Sequence, residues 1–210
     1  MTQPPITMTQ PLSLWPYVTP GIPDEMFERL PGIPLSKCEV RLLMLGKLRL
    51  RTNSVLWDIG AGTGTIAVEA GLICPLGQVF AIERDEDVSN LIGVNCQKFG
   101  VNNVTVVRGS APDCLADLNP APDRICIEGG RSLPEIIQYA WSRLQIGGRI
   151  LATTNTLEGL YAISHSFMEL QVRQIEVVQS GVNRLETKGN QQLFAAVNPI
   201  FLLSGEKLDE

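Results

Sequence analysis

This chain predicts an α/β fold, doubly wound around a mostly parallel sheet, and three observations carry the prediction. Between residues 54 and 170 short apolar runs alternate with amphipathic stretches. Alternating β and α units build parallel sheets covered by helices on both faces. The apolar run Val55-Leu56-Trp57-Asp58-Ile59 leads directly into glycines at alternate positions, Gly60, Gly62 and Gly64, and then into a helical stretch. Beyond residue 170 two strand-like segments, 174–180 and 193–204, are joined by a polar loop over 181–191, which suits an antiparallel edge. The expected sheet has seven strands with an antiparallel C-terminal strand.

The elements follow in order. Ser36-Lys37-Cys38-Glu39 has the form of a capping box, so a helix should begin near position 37 and turn Val40, Leu43, Met44 and Leu48 to one side. The first strand is predicted over 54–59, and the first crossover helix over 65–74, closed by the turn Pro75-Leu76-Gly77. A second strand takes 78–83 and a helix 86–99. A third strand over 103–108, a short helix near 112–118 and a fourth strand over 124–127 follow. A helix over 133–144, a turn at Gly147-Gly148, a fifth strand over 149–154 and a helix over 157–170 complete the alternation. In such a sheet a ligand sits beyond the carboxyl ends of the strands, where strand order reverses, and the glycine loop falls there.

A chain of 210 residues is long enough for one well-buried domain, read here as 21–210. Residues 1–20 hold five prolines and no charged side chain. They are read as a flexible arm, with an ordered arm packed on a neighbour as the alternative. They lack the basic start and apolar centre of a secretory signal, and no stretch is apolar enough for a membrane span. Cys38, Cys74, Cys96, Cys114 and Cys126 are odd in number and never paired as C-x-x-C, which points to reduced thiols in a cytoplasmic protein and away from zinc. A net charge of −5 makes a long nucleic acid an unexpected partner. Lys37, Arg41, Lys47, Arg49 and Arg51 run against that average. They form either a solvated helix face or a local seat for a polyanionic small molecule.

The pattern Asp58-x-Gly60-x-Gly62-x-Gly64 is that of S-adenosylmethionine (SAM) binding in doubly wound methyltransferases. The nicotinamide fingerprint needs glycine at position 65, where Thr65 stands. Glu83, nineteen residues beyond Gly64 at the end of the second strand, is placed to accept both ribose hydroxyls. Ser110 and Ala111 at the end of the third strand give a flat adenine ring close approach. Gly129 and Gly130 after the fourth strand lie where the transferred methyl belongs, or simply make a turn. The single histidine, His165, falls inside a helix and is read as structural or solvated, with proton shuttling as the lesser alternative.

Longer strings narrow the class. Gly21-Ile22-Pro23-Asp24-Glu25-Met26-Phe27, Leu35-Ser36-Lys37-Cys38-Glu39-Val40-Arg41, Lys47-Leu48-Arg49-Leu50 and the glycine run together resemble the CbiT family, the decarboxylating corrin-ring methyltransferases of cobalamin biosynthesis. The resemblance spans about residues 21 to 205. It implies a class I SAM-dependent methyltransferase fold and methylation of a precorrin or cobalt-precorrin ring at carbon 15, with loss of carbon dioxide from the ring C acetate. It also implies a homotetramer, and a separate partner for methylation at carbon 5. Positions matching the family's cofactor site are Ser36, Gly60, Ala61, Gly62, Thr63, Gly64, Glu83 and Ala111. Two positions depart from the family pattern. Ser110 stands where an acid is common, and Glu128, Arg131 and Ser132 interrupt a glycine-rich run after the fourth strand.

A polycarboxylate tetrapyrrole asks for Arg and Lys forks. The candidates are Lys37, Arg41 and Arg184, with Lys188 beside the last and Gly129 near the methyl. The macrocycle is its own electron sink, so no catalytic metal ligand and no cofactor beyond SAM are expected. The competing readings are a SAM-dependent methyltransferase of another small molecule or of tRNA, and a SAM-binding subunit without chemistry.

Overall fold

The computed structural model describes residues 14–33, 35–130 and 132–209. Nine strands and five α-helices follow one another among them. They are α1 (Cys38–Leu48), β1 (Val55–Ile59), α2 (Thr65–Ile73), β2 (Gln78–Glu83), α3 (Glu86–Phe99), β3 (Val104–Arg108), β4 (Arg124–Glu128), α4 (Leu133–Arg143), β5 (Arg149–Thr154), α5 (Leu157–Glu169), β6 (Arg173–Gln179), β7 (Asn183–Lys188), β8 (Gln191–Ala196) and β9 (Phe201–Glu206). The short helix expected near 112–118 is a single 3-10 turn, Asp113–Leu115.

Seven strands form one sheet in the order β3-β2-β1-β4-β5-β9-β6. The pairs from β3 to β5 are parallel, and β9 runs antiparallel to both β5 and β6. The chain therefore winds outward from β1 through β2 to β3, then returns to lay β4 on the other side of β1. That reversal opens a crevice at the carboxyl ends of β1 and β4.

Strand alternation sorts the core into two layers. Leu56 and Cys126 join the cluster beneath α1, α2 and α3, with Ile66, Ile92 and Phe99. Trp57, Ile59, Ile125 and Ile127 join the cluster on the opposite face, with Ile137, Ile163 and Phe167. Fully burying each such side chain contributes roughly 1.5–3 kcal/mol. Asp58 and Cys126 are register partners in β1 and β4, so both point to the α1 face. Two crossover helices are capped as their sequences indicate. Asp85 accepts from the Val88 amide at 3.1 Å, and Thr156 from the Gly159 amide at 3.0 Å.

Three expectations change. Ser36 does not cap α1. The cap position is Lys37, without a side-chain bond, and the Cys38 amide donates instead to Asp24 Oδ1 at 2.9 Å. The loop over 181–191 is a hairpin: β7 and β8 pair as a separate two-stranded sheet across Gly189 and Asn190, and the strand expected over 193–204 is split into β8 and β9. The basic cluster is not one patch. Arg41 is wholly buried, while Lys47 pairs with Glu176 at 2.5 Å and Arg49 with Glu206 at 2.7 Å.

Of the expected arm, residues 1–13 lie outside the described residues. Within 14–20, Trp15 is partly buried against the core and donates from Nε1 to Thr19 O at 2.9 Å. All five cysteines are free thiols, and no helix among the described residues is long and apolar enough to cross a membrane.

Candidate functional site

The site is built on the carboxyl edge of the sheet. Beyond Ile59 the Gly60 and Ala61 amides both donate to Ile82 O of β2, at 2.9 and 3.0 Å, which turns the chain towards α2. Gly60 has φ +80°, and a Cβ there would stand 2.6 Å from the Glu128 carbonyl oxygen, so the loop and the end of β4 touch backbone to backbone. Gly62 has φ +54° and nothing within 4 Å of where its Cβ would lie. Gly64 starts α2 and backs onto Ile92 rather than lining the crevice.

Glu83 closes the other side. Its Oε2 accepts the Gly62 amide at 3.0 Å, and its Oε1 accepts the Arg84 and Asp85 amides at 2.8 and 3.0 Å. A carboxylate offers about four acceptor sites, so three amides leave room for roughly one hydroxyl. Accepting both ribose hydroxyls, as expected from sequence, requires the Gly62 contact to lengthen.

Two adjoining cavities meet here. The larger, about 1160 Å³, is lined by Ser36, Lys37, Gly60 to Thr63, Glu83, Glu128 to Gly130 and Arg184. The smaller, about 820 Å³, runs under the end of β3 and is lined by Ser110 and Ala111. Gly60, Glu83, Glu128 and Gly129 line both. The open cradle at Gly62, the fixed carboxylate of Glu83 and the small residues at 110–111 fit a nucleoside laid along the ends of β1, β2 and β3.

A family model described as a precorrin methyltransferase domain matches residues 26–207. The chain belongs to the precorrin methyltransferase family. A Pyrobaculum calidifontis protein named probable cobalt-precorrin-6B C(15)-methyltransferase (decarboxylating) is 46% identical over 193 residues, covering 90% of this chain and 97% of its own. The Salmonella typhi cobalt-precorrin-6B C(15)-methyltransferase (decarboxylating) is 33% identical over 185 residues, covering 88% and 95%. Among solved structures, a precorrin-6y C5,15-methyltransferase from Geobacter metallireducens superposes with a TM-score of 0.84 at 35% identity, covering 91% of this chain and 100% of that one.

In this precorrin methyltransferase two candidate residues stand back from the crevice. Asp58 is fully buried and lines neither cavity. Neither of its oxygens has a hydrogen-bond partner among the described residues. Burial pushes its carboxyl well above the usual carboxylate range, and the charges of Glu128 and Glu83 push the same way. Asp58 is thus a support beneath the loop rather than a direct cofactor ligand.

Arg41 is also fully buried. It donates to Glu69 Oε1 and Asp24 Oδ1, each at 2.8 Å, and to the carbonyls of Ser36 (2.5 Å) and Ile22. Its guanidinium lies 5.0 Å from the centroid of the Phe27 ring. All its donors face protein, so it organises the entry to α1 and is not a substrate fork.

Arg184 does line the larger cavity, from β7. It donates to both Glu39 oxygens at up to 3.2 Å and to Asp24 Oδ2 at 2.9 Å. Its charge is therefore already matched by two acids. Lys37 is 40% exposed and lies 3.9 Å from Asp24, which leaves its ammonium free to turn into the cavity. Lys188 pairs with Glu186 and lines neither cavity. His165 is exposed, stacked on Tyr161 and paired with Glu169 at 3.3 Å, away from both cavities.

The sequence singled out Glu128 only as an interruption. Its Oε2 accepts a hydrogen bond from Ser36 Oγ, which ties the segment before α1 to the end of β4. Burial pushes its carboxyl up to about 7, against the opposing pulls of the Ser36 hydroxyl and the Arg41 charge. Thr153 and Asn155 at the end of β5, and Asn198 before β9, also line the larger cavity and carried no sequence signal. Arg131 lies outside the described residues.

Proposed function

We propose that this chain transfers a methyl group from SAM to carbon 15 of a precorrin or cobalt-precorrin ring and releases the ring C acetate carboxyl as carbon dioxide, in cobalamin biosynthesis. The observation that carries the reading is the near full-length match to relatives named for that reaction, at 46% and 33% identity. The site supports it, because the crevice has one lobe that suits a nucleoside and a larger lobe with room for a macrocycle.

SAM, when bound, supplies an electrophilic methyl on a sulfonium. The residues of this chain hold the reactants. Glu83 takes a ribose hydroxyl, Gly62 leaves space for the nucleoside, and Ser110 with Ala111 lie against the adenine. Holding a ring carbon and a methyl group aligned about 3 Å apart can supply roughly 7–11 kcal/mol of the barrier. Lys37 and Arg84 are the cavity cations open to substrate carboxylates, while Thr153 and Asn155 add neutral donors. The upward shift of the Glu128 carboxyl, to about 7, lessens its repulsion of the polyanionic ring.

Methylation of tRNA is the less favoured reading: the lining mixes acids with few open cations, and the net charge is −5. We further propose a homotetramer in the cytoplasm, with Ser36 and Gly129 at the boundary between cofactor and ring, and a separate protein for carbon 5. Mass spectrometry of the ring after incubation with the protein and SAM tests the function. The expected product has gained one methyl and lost one carbon dioxide; a ring of unchanged mass contradicts it.

A further inference from the structure

We infer that Glu128 is the proton-transfer residue of the site: its carboxyl donates a proton to the methylene carbon that loses carbon dioxide and recovers one from the ring carbon that gains the methyl. The inference rests on the function proposed above. Four observations carry it.

The first is place. Glu128 ends β4, the strand that meets β1 at the reversal of strand order, and it lines both cavities. A group there faces the cofactor lobe and the ring lobe together.

The second is mounting. Ser36 Oγ donates to Oε2, and Oε1 carries no hydrogen bond among the described residues. One oxygen is fixed and the other has no partner that ties it down among the described residues.

The third is the field around it. Asp58 of β1 and Cys126 of β4 each bring a ligand atom within 4.8 Å of the Glu128 carboxylate. Burial pushes both of those groups up towards their neutral forms. Arg41 of α1 is directed at Asp24 and Glu69, Lys37 and Arg84 lie in the cavity wall, and Glu83 is held by three amides. The result is a carboxyl that titrates near neutrality, where an acid–base group works best.

The fourth is the chemistry of the two half-reactions. When the acetate carboxylate leaves as carbon dioxide, its carbon–carbon bond breaks and the electron pair enters the conjugated ring. That pair then forms the carbon–hydrogen bond of a new methyl as the O–H bond of Glu128 breaks, leaving a Glu128 carboxylate. Methyl transfer to a ring carbon bearing hydrogen frees one proton, which the carboxylate takes up. One proton is consumed and one released, so a single carboxyl returns to its starting state. Of the groups nearest to it, Asp58 is sealed off and Cys126 is fully buried, while His165 lies outside both cavities.

The test combines E128Q, E128D and S36A. Infrared difference titration of the protein without SAM or ring should show a carboxyl titrating near 7 that is absent in E128Q. E128Q should bind SAM within about threefold of wild type, yet turn over about 10²–10⁴-fold more slowly. E128D should restore part of the rate. S36A, which removes a hydrogen bond that favours the charged form, should move the rate-limiting ionisation to higher pH. Survival of the neutral-range titration in E128Q, or product formation by E128Q at the wild-type rate, overturns the inference. A wild-type protein that leaves the ring unchanged overturns the underlying function instead, while the infrared titration still decides the ionisation of Glu128.

Discussion

Ser36 and Glu128 are 92 positions apart in sequence and joined by a hydrogen bond from the serine hydroxyl to the carboxyl. That contact closes the crevice between the segment before α1 and the end of β4. It also identifies a part-buried acid whose ionisation folding opposes. A group raised in the folded state contributes stability that is complete below its unfolded pKa and lost as pH rises through the folded value, here about 7. E128Q should therefore be more stable than wild type at about pH 8.5, by up to about 3 kcal/mol, and show little difference near pH 4. Thermal melts of the two proteins across that range check the crossover.

Arg41 should prove structural. Replacing it with methionine leaves Glu69 buried without its cation and Asp24 with only Arg184 and Lys37, which should cost about 3–5 kcal/mol. Adding Glu69→Leu to Arg41→Met should recover part of the loss, because the uncompensated buried charge is then gone. Urea unfolding of the single and double variants measures this, and a single variant as stable as wild type would remove Arg41 from the architecture.

Gly60 and Gly62 should respond differently to alanine. At Gly60 the new Cβ meets the Glu128 carbonyl oxygen at 2.6 Å, so the loop and β4 must separate. At Gly62 it meets open space, and the main structural cost is the left-handed backbone, roughly 1–2 kcal/mol. Gly60→Ala should lower both stability and SAM affinity. Gly62→Ala should lower SAM affinity by at least tenfold while shifting the melting temperature by only a few degrees. Calorimetry paired with thermal melts separates the two.

The β7–β8 hairpin should loosen in acid. Hydrogen bonding from Arg184 holds the Glu39 carboxyl below its ordinary value. At Asp24 burial pushes the carboxyl up, but bonds from Arg41 and Arg184 outweigh it and the net shift is downward. Groups depressed in this way stabilise the fold above the ordinary carboxylate range, and the contribution is lost as pH falls below it. Arg184→Ala should produce the same loosening at neutral pH. Hydrogen exchange at the β7 and β8 amides reads both, and unchanged protection in Arg184→Ala would sink the clamp.

The parallel half of the sheet was legible because strands buried on both faces read as continuous apolar runs, as in Val55–Ile59 and Gln78–Glu83. The hairpin was not. Leu185 is 56% exposed and Phe194 73%, so no buried face imposed an apolar alternation. The available signal was Gly189-Asn190, a two-residue turn between β7 and β8. Arg41 looked like a surface cation because its partners Asp24 and Glu69 come together only in the fold. Ser36-x-x-Glu39 matched a capping box, yet Glu128 takes the serine and Arg184 takes the glutamate. Local spacing cannot show that competition from distant residues. Glu83 and the glycine loop fall at the carboxyl ends of β2 and β1 where the sequence put them, because that placement is set within one β-α-β unit.

The most direct test is a single turnover with methyl-labelled SAM and the corrin-ring substrate, counting labelled methyl on the ring against carbon dioxide evolved. The account requires both in equal amounts from each active site. Label on the ring without carbon dioxide, or neither, would contradict it.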